Sequence, residues 1–218
     1  MISLKEWWKT MIQEYQEMQI SKNSGIIGDL FDFLVNECKI DSNKVVEFFL
    51  KSKVCKKIEN KEYNYLIGKS GIELGLEILE EFDIEVENYS TISFVRSQEY
   101  WCGWAISYFH HINDVKYSKI FELVTFDDLL RMYPTLHEAD ITKFIEVLDK
   151  INKTKPSNLK KIRINHGCSQ RELSEMSGVS LRSIQMYEQK RKDINKAQVE
   201  AVYKLAKALG CNIEDILE

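Results

Sequence analysis

Residues Ser169–Lys192 constrain the fold more than any other stretch of this 218-residue chain. Their apolar side chains cannot all lie on one continuous helix, because Gly178 interrupts the 3.6-residue period and Ser180 restarts it. Ser169 and Glu172 have the spacing of a capping box, and Ser180 is a good N-cap for a second helix. The stretch therefore predicts two short helices joined by a sharp turn at Gly178.

The second predicted helix has an outward face suited to the major groove of DNA. Ile184 and Tyr187 point towards the core of the domain. The outward face carries Leu181, Arg182, Ser183 and Met186, and three cations follow at Lys190, Arg191 and Lys192. In such an arrangement the helix side chains meet base edges and the cations meet phosphates. The competing interpretation is an ordinary solvated helix pair.

Residues on both sides of this helix pair match a known pattern in order. They are Leu159, Ile162 and Arg163 in a first helix, Gly167 at its end, Ser169-Gln170, Gly178-Val179-Ser180, and Ile184 with Glu188. A fourth helix carries the stripe Val199, Val202, Tyr203, Ala206 and Leu209 and ends at Gly210, and a short fifth helix through Leu217 begins at Asn212 or Ile213. Residues 158–217 thus resemble the Cro/C1-type (XRE) helix-turn-helix domain of phage and bacterial repressors.

The resemblance implies a role for each matching side chain. Gln170 would contact a phosphate and brace the second helix, and Arg163 would form an ion pair with Glu188 inside the domain. The DNA-binding set would be Gln170, Ser180, Leu181, Arg182, Ser183, Met186, Lys190, Arg191 and Lys192.

Three positions of this set have a more specific expectation. Leu181 suits a thymine methyl, because it has no group for a hydrogen bond to a base. Arg182 would contact a guanine or, alternatively, a phosphate. Lys190 stands where the family often has glycine, so the chain leaves the helix through a less permissive residue.

Charge is distributed unevenly along the chain. Residues 156–218 contain 11 Lys or Arg and 8 Asp or Glu, a net charge of +3, whereas residues 1–155 carry a net charge of −7. Only the C-terminal part therefore suits a polyanion. The acidic N-terminal part suits a basic partner.

The remaining composition favours an all-α protein of the cytoplasm. There are two prolines, nine glycines and no long β-alternating run. The opening MISLKEWWKT is charged and resembles neither a signal peptide nor a membrane span. The five cysteines are odd in number and form no CxxC pair, which indicates reduced and mostly buried thiols.

The N-terminal part is predicted to be a helical module. A first helix, capped at Ser3, carries an apolar face made of Trp8, Met11, Ile12, Tyr15 and Met18. This face either packs in a core or binds a partner. We expect Asn23-Ser24-Gly25 to break the chain before a second apolar stripe, Ile27–Cys38. Residues 63–67 are expected to be extended, and residues 83–96 to be a connector.

The rest of this module is predicted to be helical around an aromatic centre. The segment 97–111 contains Trp101, Trp104 and Tyr108 and is apolar over a wide arc, so it should lie at the centre of the module or line a ligand pocket. A helix Phe126–Tyr133 should stop at Pro134, and another, capped at Thr135, should run through Lys150.

We place the domain boundary in the polar hinge 152–158, at Lys155/Pro156. The first domain is then 1–155, which can be divided further into 1–90 and 91–155. The second domain is 156–218.

Two further resemblances concern the N-terminal module. Residues 26–81, with VVEFFLKSKVCKKIEN, resemble a small helical domain that accompanies Cro/C1-type proteins in bacterial operons with ADP-ribosyltransferase-like toxins. The SQEYWCGW segment at 97–104 resembles part of some Cro/C1-type proteins from such operons. These resemblances imply an antitoxin that also represses its own operon.

Enzymatic and metal-binding functions have little support in the sequence. His110-His111 has no Cys or His four residues away, so we expect no metal site and no cofactor. Cys102 has no readable acid or oxyanion partner, so we expect no catalytic residues.

The sequence therefore predicts a homodimeric, operator-binding autorepressor whose module 1–155 neutralises a cognate toxin. The alternative is a ligand-sensing or purely dimerising repressor without a toxin partner.

Overall fold

The computed structural model describes residues 4–86, 89 and 96–218. Within these residues every regular element is helical, as predicted. The chain divides into two compact units, Met1–Leu148 and Asp149–Glu218. This division falls inside one helix, and the predicted boundary at Lys155/Pro156 stays a prediction. The expected cap at Ser3 and residues 87–88 and 90–95 of the expected connector lie outside the described residues.

The N-terminal unit contains a series of α-helices with one π-helical and one 3-10 segment. The α-helices are α1 (Leu4–Asp32), α2 (Ser42–Lys51), α3 (Lys53–Glu59), α4 (Gly71–Glu81), α5 (Gln98–Asn113), α6 (Tyr117–Leu123) and α7 (Phe126–Leu136). The π-helix Phe33–Glu37 continues directly from α1, and the 3-10 helix Tyr63–Leu66 lies between α3 and α4. The next helix, α8 (Ile141–Thr154), contains the division between the two units.

The predicted break at Asn23-Ser24-Gly25 is wrong, because α1 runs through it without interruption. Ser24 is fully buried, and an added Cβ at Gly25 would lie 3.4 Å from the Tyr100 hydroxyl of α5. Glycine in a helix interior costs about 1 kcal/mol relative to alanine. Packing against α5 outweighs that local preference, as tertiary contacts commonly do.

Helix α5 packs closely along α1. A Cβ at Gly28 would lie 2.8 Å from the Tyr100 ring, and a Cβ at Gly103 would lie 2.8 Å from the Ile27 carbonyl oxygen. The two glycines therefore allow the helix backbones to approach each other. Trp101 is buried, and its ring contacts Tyr133 and Phe144 with centroid separations of 5.7 and 5.6 Å.

Three other local predictions need correction. Residues 63–66 form a 3-10 helix rather than an extended segment. Helix α7 continues through Pro134 to Leu136, because proline removes one backbone donor and the His137 amide still donates to the Tyr133 carbonyl at 3.0 Å. Helix α8 begins at Ile141 rather than at Thr135, since the Asp140 carboxylate accepts the Thr142 amide at 2.9 Å.

The C-terminal unit packs its helices around one apolar core. Its helices are α9 (Asn158–His166), α10 (Gln170–Ser177), α11 (Leu181–Glu188), α12 (Val199–Leu209) and α13 (Ile213–Ile216), with a 3-10 turn at Ile194–Lys196. The fully buried residues of its core include Leu159, Leu173, Ile184, Leu205 and Ile216. The predicted apolar stripe on α12 is only partly buried. Val202, Ala206 and Leu209 are buried, but Val199 and Tyr203 are 77% and 53% exposed.

Candidate nucleic-acid interface

Local capping interactions hold the pair α10 and α11 in place. Ser169 and Glu172 form a capping box at the start of α10, and the Ser180 hydroxyl accepts the Ser183 amide at the start of α11. Gly178 adopts the left-handed conformation with φ of 70°, as the predicted turn requires. The Ser174 hydroxyl donates to the Val179 carbonyl at 2.7 Å and closes the turn.

The outward face of α11 presents its first residues to solvent. Leu181 and Arg182 are exposed, whereas Ser183 and Met186 are half-buried. The Ser180 hydroxyl lies 2.8 Å from the Ser183 hydroxyl, so these two groups are engaged with each other. Ile184 and Tyr187 are buried on the opposite face, as predicted. Arg182 is therefore well placed to reach a base edge from α11.

A buried ion pair ties α9 to helix α11. Arg163 donates to Glu188 through Nε at 2.6 Å and through Nη2 at 3.0 Å, and its Nη1 donates to the Cys168 carbonyl at 2.7 Å. The two side chains are only 10% and 2% exposed. The hydrogen bond to Glu188 raises the pKa of Arg163, so the guanidinium stays charged. The geometry matches the pairing that the resemblance implies.

Gln170 adds a third donor to the same carboxylate. Its Nε2 donates to Glu188 Oε2 at 2.7 Å from the first position of α10. An amide nitrogen carries two protons, so the second proton can donate to a phosphate. Gln170 can therefore brace α11 and contact DNA at the same time.

The three cations after α11 have different surroundings. Arg191 and Lys192 are exposed, and Lys192 Nζ lies 5.4 Å from the centre of the Tyr187 ring. The Lys190 side chain is only 14% exposed, and its ammonium contacts Asn152 and Glu218 of the same unit. The structure therefore places Arg191 and Lys192, but not Lys190, where a phosphate can be reached.

The histidines and cysteines of the N-terminal unit are explained by packing. His110 Nδ1 lies 2.7 Å from the Val115 carbonyl, and its ring stacks on Tyr117. Burial lowers the pKa of His111 to about 4 and raises the pKa of the Cys102 thiol. Across the described ranges there is no group of three His, Cys, Asp or Glu residues that could hold a metal ion. In the same ranges no helix is long and apolar enough to cross a membrane.

Comparison with known proteins agrees with the geometry of the C-terminal unit. The sequence model of the helix-turn-helix family matches residues 159–216. No curated protein and no solved structure matched the chain. The chain thus contains a helix-turn-helix domain, preceded by an all-helical region. Domains of this class bind DNA sequence-specifically in transcription regulators, and the family is one of regulators rather than of enzymes.

Sequence reasoning missed the structural partners of Lys190. Asn152 lies before the predicted boundary, and Glu218 was assigned no role. The one feature of the sequence that sets Lys190 apart is a lysine at a position where the resemblance favours glycine. The predicted ligand pocket at 97–111 stays a prediction.

Proposed function

We propose that this protein represses transcription from its own operon by binding a palindromic operator as a homodimer. The observation that carries the proposal is the exposed N-terminal end of α11, with Leu181 and Arg182 facing outward from a braced helix pair. A single such domain makes few contacts to DNA, so two copies are needed for a tight complex. Their recognition helices would lie about 34 Å apart and enter successive major grooves.

A binding assay on the DNA upstream of the gene tests the repressor proposal. The full chain should bind this fragment more tightly than a random duplex of equal length, roughly 10³-fold or more at physiological salt. A reporter gene under the same fragment should be expressed less when the chain is present. Equal affinity for the two duplexes would contradict the proposal.

We further propose that domain 1–155 neutralises a cognate toxin by direct binding. The predicted apolar face of α1 supports this role, because it is not buried in the described structure. Its members are between 37% and 60% exposed: Trp8, Met11, Ile12, Tyr15 and Met18. An amphipathic helix of this kind can dock in an apolar groove through residues three, four and seven apart.

The chemistry of the partner follows from the charge of the module. Residues 1–155 carry a net charge of −7, and Glu14 and Glu17 lie on the exposed part of α1. A basic toxin with an apolar groove would complement both features. The resemblance of residues 26–81 to a domain from toxin operons supports the same partner. The alternative core-packing interpretation of this face does not fit the exposure of its side chains.

Co-expression tests the antitoxin proposal separately from DNA binding. A toxin encoded beside the gene should arrest growth when expressed alone, and the full chain should relieve the arrest. The variant Ile12→Glu/Tyr15→Glu should fail to do so, whereas Gln13→Glu on the same helix and Arg182→Ala in the other domain should both retain protection. Full protection by the α1 double variant would overturn the assignment of this face.

A further inference from the structure

The backbone at Lys190 has a conformation that favours glycine. Helix α11 ends at Glu188, and Lys190 follows with φ of 51°. The Lys190 amide donates to the Tyr187 carbonyl at 3.0 Å, and the Arg191 amide donates to the Met186 carbonyl at 2.9 Å. This is the Schellman arrangement, in which the left-handed residue is usually glycine. A lysine there carries a steric cost that glycine would not.

The Lys190 ammonium has several acceptors. Nζ donates to the Asn152 carbonyl oxygen at 3.1 Å and to Asn152 Oδ1 at 2.9 Å. It also lies 3.3 Å from Glu218 Oε2. With only 14% of the side chain exposed, these contacts compete with little bulk water.

The acceptors are themselves held in place by other residues. Asn152 lies in the last turn of α8. Glu218 Oε1 accepts the Asn158 amide of α9 at 2.9 Å, and the Glu218 amide donates to Asn195 Oδ1 at 3.0 Å. The ammonium therefore joins the end of the recognition helix to α8 and to the C-terminal residue of the chain.

We propose that Lys190 is a positioning residue for DNA binding, a clamp that fixes the exit of α11 and thereby places Arg191 and Lys192, rather than a phosphate contact. The proposal rests on the proposed DNA-binding function. It also makes the last turn of α8 part of the DNA-binding machinery, although this turn lies outside the matched residues 159–216.

Salt-dependent binding to a labelled duplex of random sequence tests the clamp in the full chain. The variants are Lys190→Met, Asn152→Ala, the double variant, and Lys192→Gln as the matched exposed control. Each clamp variant should weaken binding by roughly 3- to 10-fold, the effect of losing one hydrogen-bonded contact. The double variant should be no weaker than the stronger single variant, because both changes remove the same contact.

The salt dependence separates a clamp from a phosphate contact. Lys192→Gln should reduce the slope of log K against log salt by about 0.9, because one phosphate contact is lost. Lys190→Met and Asn152→Ala should leave this slope unchanged, because Arg191 and Lys192 still contact phosphates in the complex and only the cost of ordering the end of α11 rises. A reduced slope for Lys190→Met, together with normal binding by Asn152→Ala, would show a phosphate contact and overturn the proposal.

Lys190→Gly separates positioning from folding stability. Glycine removes the backbone cost at this position, so the variant should be at least as thermally stable as Lys190→Met and still bind DNA more weakly than the wild type. Full DNA affinity in the glycine variant would show that the side chain has no positioning role. If the wild type itself failed to bind any duplex, the DNA-binding function rather than the clamp would be at fault.

Discussion

Glu188 links helix α11 to two neighbouring helices. Its buried carboxylate accepts three hydrogen bonds, two from Arg163 and one from Gln170. A buried carboxylate is tolerated when its oxygens are satisfied in this way. Since the donors come from α9 and α10, this one side chain fixes α11 against both neighbours.

Breaking this pair from one side should destabilise the domain strongly. Arg163→Met leaves Glu188 buried without its cation, so the free energy of unfolding should fall by about 3–5 kcal/mol in urea denaturation. The matched control is Arg171→Met, whose partner Glu175 lies on the surface, with side chains 83% and 69% exposed. The control should lose less than about 1 kcal/mol. Equal losses in the two variants would contradict the role given to the buried pair.

Arg182 should carry part of the sequence preference. Arg182→Ala should reduce the discrimination between operator and random DNA by about 1–3 kcal/mol, the value of a bidentate contact to a base. Lys192→Ala is the comparison, because it should weaken binding to both duplexes alike. Fluorescence anisotropy at fixed salt measures both. Unchanged discrimination in Arg182→Ala would assign this arginine to a phosphate instead.

The buried His110 and the half-buried His111 should make the N-terminal unit sensitive to acid. Burial lowers the pKa of His111 from 6.5 to about 4 and also lowers that of His110. The unfolded chain therefore binds more protons than the folded one between these pH values. The stabilisation is complete above pH 6.5 and is lost as the pH falls towards 4.

Replacement of His111 tests this linkage. Urea unfolding at pH 7 and pH 4.5 should show a loss of roughly 1–3 kcal/mol for the wild type and a smaller loss for His111→Phe. His166→Gln, on the exposed end of α9, should behave like the wild type. A pH dependence that is identical in His111→Phe would refute the link to this residue.

At the scale of helices, local signals in the sequence predict some helix starts correctly and miss others. The predicted caps at Ser169 and Ser180 are present, because each depends on residues three positions apart, whereas the cap expected at Thr135 is not, since α8 begins at Ile141. The break expected at residues 23–25 does not occur, because α5 packs against that part of α1. Distant contacts of this kind leave no mark on local spacing.

The close crossing of α1 and α5 gives a direct prediction. In Gly103→Ala the new Cβ would lie 2.8 Å from the Ile27 carbonyl oxygen and 3.0 Å from Phe31 Cβ, so the helices must separate. The free energy of unfolding should fall by about 1–3 kcal/mol despite the better helix propensity of alanine. Gln16→Ala, on the exposed part of α1, is the control and should change little. A stabilised Gly103→Ala would contradict the close approach.

At the scale of the whole molecule, the sequence predicted the helix-turn-helix class of the C-terminal unit. Local features carried that prediction, namely Gly178 and the capping serines, whereas the pairing of Arg163 with Glu188 was implied by the resemblance to Cro/C1-type domains. The Lys190 contacts were not predictable, because Asn152 and Glu218 are 38 and 28 positions away and lie in no recognisable motif. For the same reason, the sequence of α1 fits both a face that packs in a core and a face that binds a partner, since periodicity alone does not say what covers a helix.

The uneven charge along the chain is compatible with two kinds of partner, DNA and a basic protein. The unit with the helix-turn-helix domain is the basic part, and the acidic part carries the exposed apolar helix. An acidic module repels DNA, so it should lower non-specific binding and leave the specific complex dependent on contacts from α11.

Operator recognition by paired α11 helices can be tested by hydroxyl-radical footprinting of the full chain on a duplex that the protein selects from a random pool. We expect two protected segments on one face of the DNA, about one helical turn or 34 Å apart, within a palindrome. Arg182→Ala should protect the same duplex only at concentrations that also cover random DNA. A pool without an enriched sequence would contradict recognition through α11.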